Sequence, residues 1–153
     1  MLQPTNEQMK AVRDIESAIQ NENAESAETA FWEACDAGLH PIYCQPLIAL
    51  VEAPWHYLHE DVVHKLQNLR CPDAVAALER AAFSAYEYRN YDDYGMLASQ
   101  CIWALADIGT PEAHAAITRL ASSDNPLIAR SAIERINNWQ KELHRKAFKT
   151  SPA

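Results

Sequence analysis

Apolar residues recur along this chain at spacings of three and four, the signature of helices that bury one face. In the first stretch Met9, Val12, Ile15 and Ile19 fall on one stripe. Thr5 or Asn6 stands where a helix N-cap belongs. The spacing predicts an amphipathic helix over 5–22, followed by helices at about 24–38, 43–53, 58–69, 72–85, 93–108, 111–122 and 126–147, with boundaries good to roughly two to four residues. Gly38 is a helix stop signal. The chain has only three glycines, against the turn-dense pattern of a β-sandwich.

The stronger signal is internal repetition. Laid without gaps over residues 105–117, residues 66–78 match Leu66 to Leu105, Leu69 to Ile108, Pro72 to Pro111, Asp73 to Glu112, Ala74 to Ala113, Ala77 to Ala116 and Leu78 to Ile117. In each copy apolar residues end one helix and a short turn follows. Proline then opens the next helix where its missing N–H is harmless, and the acid after it faces the positive end of the helix dipole. A third copy starts at Asn125-Pro126, with Ala98, Cys101 and Ile102 matching Ala129, Ala132 and Ile133. Residues 24–38 and 43–53 form a weaker upstream pair.

The offset lies near the roughly 40–47 residues of HEAT and armadillo units. The stretch from His59 to Ala82 in particular resembles a HEAT repeat, and is similar to the HEAT-like units of bilin lyases and deoxyhypusine hydroxylase. The resemblance spans about residues 24–140. It implies an all-α fold: a HEAT-like α-solenoid of about eight helices in antiparallel pairs. The whole chain, 1–153, would form one domain, with 5–22 as a capping helix and a frayed tail at 149–153. Stacked helix pairs present a long surface suited to holding proteins.

Charge narrows the partner. The net charge is -8, but residues 1–112 hold 18 acids against 6 bases, and residues 113–153 hold 3 against 7. An acidic body repels phosphate backbones, so a basic protein is the expected partner and nucleic acid is not. No apolar run approaches the roughly 20 residues that cross a bilayer. Residues 1–7 show neither the basic start nor the apolar centre of a signal peptide, so the expected location is cytoplasmic and no membrane partner is expected. Cys35, Cys44, Cys71 and Cys101 form no CxxC pair and lie in apolar surroundings, which predicts buried free thiols.

Two segments carry candidate chemistry. In Trp55-His56-Tyr57-Leu58-His59-Glu60-Asp61-Val62-Val63-His64, three histidines and two acids fall close together. His59 and His64, five residues apart, point about 140° away from each other on a helix and do not share an ion. His59-Glu60 matches the His-Glu pair with which deoxyhypusine hydroxylase holds iron. The positions one repeat on are Ala98 and Ser99, however, so the pair is read as a helix start, with its acids at the dipole. Neither a metal site nor a cofactor is expected. The second segment, Tyr86-Glu87-Tyr88-Arg89-Asn90-Tyr91-Asp92-Asp93-Tyr94, interrupts the repeat with four tyrosines and three acids. Insertions of this kind map to loops on one face, and tyrosine supplies contact area at little entropic cost.

The expected partner-binding set is therefore Trp55, His56, Tyr57, Glu60, Asp61, Tyr86, Glu87, Tyr88, Tyr91, Asp92 and Asp93. Trp32, Trp103 and Trp139 are expected in the core. The basic segment Lys141–Lys149 reads as a last helical turn. No Gly-x-Ser-x-Gly, Walker or phosphate-cradling loop occurs, so no catalytic residue is expected. Short acidic HEAT-like proteins resemble immunity proteins that neutralise bacterial toxin effectors. The resemblance thus implies a non-catalytic binder that occludes a basic toxin. The alternatives are a bilin lyase-like enzyme or cofactor-handling protein, and a scaffold or chaperone subunit.

Overall fold

The computed structural model describes residues 2–89 and 95–143. Their regular structure is all helical, with no strand among the described residues. The helices are α1 (Asn6–Gln20), α2 (Ala24–Ala37), α3 (Cys44–Val51), α4 (His59–Leu69), α5 (Val75–Ala81), α6 (Met96–Ile108), α7 (Pro111–Leu120) and α8 (Pro126–Asn137), with 3-10 turns at Pro41–Tyr43, Pro72–Ala74 and Glu87–Arg89. Residues 139–143 are again helical. The frayed tail expected at 149–153 and most of the basic segment lie outside the described residues.

Local chemistry sets the boundaries. Thr5 caps α1 through a reciprocal pair of bonds: Gln8 N–H donates to the Thr5 hydroxyl at 3.1 Å, and Thr5 N–H donates to the Gln8 side chain at 2.8 Å. Thr110 and Asn125 cap α7 and α8, each just before a proline at the first helical position. Pro72 opens a 3-10 turn that runs into α5, the same role in tighter geometry. Gly109 ends α6 at φ 71°, where an L side chain is strained. Gly109→Ala should therefore destabilise the chain by about 1 kcal/mol, seen as a small fall in the urea midpoint with an unchanged slope.

The repeat positions become a core. Leu66, Leu105, Ala74, Ala113, Ala77, Ala116, Leu78 and Ile117 are all buried. Leu69 and Ile108 are half-buried at its edge. Corresponding helices touch in sequence, with α4 against α6, α6 against α8, α3 against α5 and α5 against α7. Along the α3, α5 and α7 row two matching ion pairs recur. Arg80 of α5 reaches Glu52 at 2.5 and 3.0 Å, and Arg119 of α7 reaches Glu79 of α5 at 2.7 and 2.8 Å. Both arginines are exposed, so solvent screens each pair, which adds little to stability and chiefly sets register. The third copy departs from the pattern: Ile133, matched to the buried Ile102, is 46% exposed.

Two expectations need correction. Cys44 and Cys71 are not free thiols; they form a disulfide with Cα atoms 5.9 Å apart. Their sequence separation of 27 hid the pairing, but Cys44 opens α3, Cys71 precedes the turn into α5, and those two elements touch. Cys35 and Cys101 stay reduced, and burial pushes the Cys101 thiol up to about 12. Trp32 is not in the core: it is 46% exposed on α2, edge-on to Phe31, which takes the buried position beside it. Trp103 is half-buried beneath the Arg135 guanidinium, 3.7 Å from the ring centroid, and Arg135 is itself buried against Glu142 at 2.8 Å. That pair ties the helical residues 139–143 back to α8. Trp139, also half-buried, meets His114 edge-to-face.

Candidate functional site

The two segments singled out in the sequence meet in space. α3 ends at Val51, and the turn at 52–58 leads into α4. The last carbonyls of a helix have no partner within it. Here side chains supply those partners. His56 accepts Leu58 N–H on Nδ1 at 3.0 Å, so its proton lies on Nε2, which donates to the Leu50 carbonyl at 2.6 Å. His59 Nε2 donates to the Ala53 carbonyl at 2.7 Å, and the Tyr86 hydroxyl donates to the Val51 carbonyl at 3.4 Å. The remaining His59 nitrogen, Nδ1, accepts the Tyr88 hydroxyl at 2.5 Å. Both nitrogens of both imidazoles are engaged.

Stacking completes the cluster. The His56 and His59 rings lie 4.1 Å apart, and Tyr86 covers the other side of His59 at 3.7 Å. Trp55 abuts His56 edge-on, and Tyr57 abuts Tyr88. Beside them, Glu60 receives Arg89 Nη1 at 2.5 Å and Gln100 Nε2 at 2.9 Å, joining α4 to the 87–89 turn and to α6.

Burial sets the charge states. His59 is fully enclosed, and desolvation, aided by His56 and Arg89, lowers it to about 4, against the Ala53 contact. Burial also lowers His56 and raises the Tyr86 phenol. Asp61 is raised, first by burial and then by Glu60 and, more weakly, by Glu28, with His64 opposing.

The expected binding residues therefore divide. Tyr57 (67% exposed), Asp61 and Glu87 face solvent. Trp55, Glu60, Tyr86 and Tyr88 are half-buried. His56 is fully buried and stands behind the surface rather than on it, because its ring caps α3. Tyr91, Asp92 and Asp93 lie outside the described residues. The segment that interrupts the repeat is anchored at its start: Tyr86, Tyr88 and Arg89 are tied to the 50–60 segment. The helix-start reading of His59-Glu60 holds, with Glu60 and Asp61 in the first turn of α4.

Sequence reasoning missed Arg89, Gln100 and Phe83. Gln100 stands 40 residues from Glu60, one place off the repeat, so alignment pointed instead at Ser99. Phe83, 57% exposed, borders a cleft shared with Tyr86, Glu87, Leu97, Leu127 and Ile128. No group of three or more metal-binding side chains occurs among the described residues. Nor is any described helix long and apolar enough to cross a membrane. Comparison with protein-family models, curated proteins and solved structures finds no match.

Proposed function

We propose that the chain is a stack of HEAT-like helix pairs that binds another protein without catalysing a reaction. Its binding face centres on Tyr57 and Phe83 and the acids Asp61 and Glu87. The observation that carries this reading is the contrast between the cluster's interior and its rim. Inside, each nitrogen of His56 and His59 is engaged in a bond that holds the cluster together. At the rim, exposed Tyr57 stands edge-on to Tyr88, and exposed Phe83 lines a cleft with Tyr86 and the acid Glu87. Rigid aromatic anchors flanked by charge are what protein interfaces concentrate.

The negative balance of residues 1–112 favours a basic partner and speeds encounter with it. Within that class we favour an immunity role, with the face occluding the working groove of a basic toxin effector. The Cys44–Cys71 bond favours an oxidising compartment over the cytosol as the site of action.

Co-purification with mass spectrometry identifies the partner, and calorimetry on the pair tests the face. Tyr57→Ala should weaken binding at least fivefold, about 1 kcal/mol, with unchanged folding because the ring is exposed. Tyr88→Ala is the poorer probe, since it also strips His59 of its phenol. An acidic partner, or an affinity indifferent to Tyr57, would overturn the reading.

A further inference from the structure

The disulfide and the aromatic cluster lie at opposite ends of one short element. α3 has only eight residues, too few to hold a helix alone in water. Cys44, its first residue, is bonded to Cys71 at the entrance to the next helix pair. Its far end presents the Leu50 and Val51 carbonyls that orient His56 and Tyr86, and just beyond lies the Ala53 carbonyl that holds His59. The covalent loop from 44 to 71 encloses α3, the 52–58 turn and α4, and thus Trp55 through Asp61. Within that loop the 52–58 turn is the longest stretch outside the helices.

We propose that the Cys44–Cys71 bond is an oxidation gate for this face: closing it pins α3, and α3 in turn holds the histidine–tyrosine cluster in its stacked arrangement. Reduction by a dithiol opens the gate. The dithiol gives two electrons and two protons, the Sγ–Sγ bond breaks to two thiols, and the reductant closes to its own disulfide. Cys44 is the half-buried sulfur and the point of attack, since Cys71 is enclosed. With the bond open, α3 keeps its buried Leu47, Leu50 and Val51, and the polar ties left at its far end are an exposed Glu52–Arg80 pair and the cluster's own bonds. The 52–58 turn then samples open conformations while the α5–α8 core persists.

The gate matters to binding only if the face proposed above is the binding face, but its test needs no partner. Denatured untreated protein should show two reactive thiols, and four after dithiothreitol. Imidazole NMR of the folded protein should find His59 titrating near 4 when oxidised and near 6.5 when reduced, as the ring becomes solvated. Far-UV helicity at 25 °C should fall by less than about a tenth. Dithiothreitol acts on the unaltered chain, so no substitution can confuse the result. An unchanged His59 titration, helicity lost together with the cluster, or four thiols before treatment would each overturn the gate. None of these results depends on whether Tyr57 contacts a partner.

Discussion

Replacing both bridged cysteines, Cys44→Ala with Cys71→Ala, should lower the free energy of unfolding by about 3.5 kcal/mol at 25 °C, from the closure entropy of the loop. The bond spans a separation of 27 residues, and the unfolded chain regains the freedom that this cross-link removed. Against a typical domain stability of about 5–15 kcal/mol the loss is large, and it corresponds to a melting point roughly 10 °C lower. The denaturant slope should rise as well, because an unfolded state without the bridge exposes more surface. Packing contributes little to the difference, since alanine fills most of the space of the buried Cys71. A loss below 1 kcal/mol would mean that the native state gains nothing from the cross-link.

Acid should weaken the fold well before the carboxylates titrate. His59 is held at about 4 in the folded chain and has its ordinary 6.5 when unfolded. Between those values the unfolded chain binds the extra proton, so stability is complete above pH 6.5 and drains away as pH falls toward 4. The expected loss is about 2.5 kcal/mol by pH 4.5 for His59, and His56, also lowered by burial, adds in the same direction. Glu52 has the same sign of dependence: its paired carboxyl is held low, mainly by the Arg80 hydrogen bond. Its loss begins below its ordinary 4.5, and the raised Asp61 carboxyl works with the opposite sign, so any loss between 6.5 and 4.5 comes from the histidines. Urea melts across that window measure the slope. His59→Phe keeps the ring and the stack but leaves the Ala53 carbonyl and the Tyr88 hydroxyl without their imidazole. It should flatten the pH dependence and cost about 1–3 kcal/mol at neutral pH for the Ala53 carbonyl that loses its donor. A wild-type profile already flat from 6.5 to 4.5 would show that the ring is not enclosed.

Much of the helical framework was legible in the residues because it is written locally. Thr5, Gly38, Pro72, Gly109, Pro111 and Asn125-Pro126 each act within one turn of chain, and the apolar stripes show which faces turn inward. The site was legible only as two suspicious strings. Nothing in the 55–61 string says that His56 and His59 spend their nitrogens on carbonyls at the end of α3; that follows from the sharp turn at 52–58, which no periodicity encodes. Nor does Tyr88 announce that its hydroxyl meets a ring 29 residues earlier. The cysteines failed for a related reason. Cys44 and Cys71 look like two unrelated thiols until the helix starts are set side by side. Trp32 misled because Ala27, Ala30, Phe31 and Ala34 fill the inward stripe of α2, and Trp32 falls outside it.

The ionic rungs on the α3, α5 and α7 row also have a sense of direction. Each rung sets a carboxylate on the earlier helix against a guanidinium on the later one, and α5 carries both, with Glu79 serving its successor and Arg80 its predecessor. At Thr118, the place on α7 that corresponds to Glu79, the hydroxyl is turned onto the His114 carbonyl at 2.8 Å. The row therefore ends in a neutral group. A helix pair spliced in between α5 and α7 in the same orientation would continue the alternation.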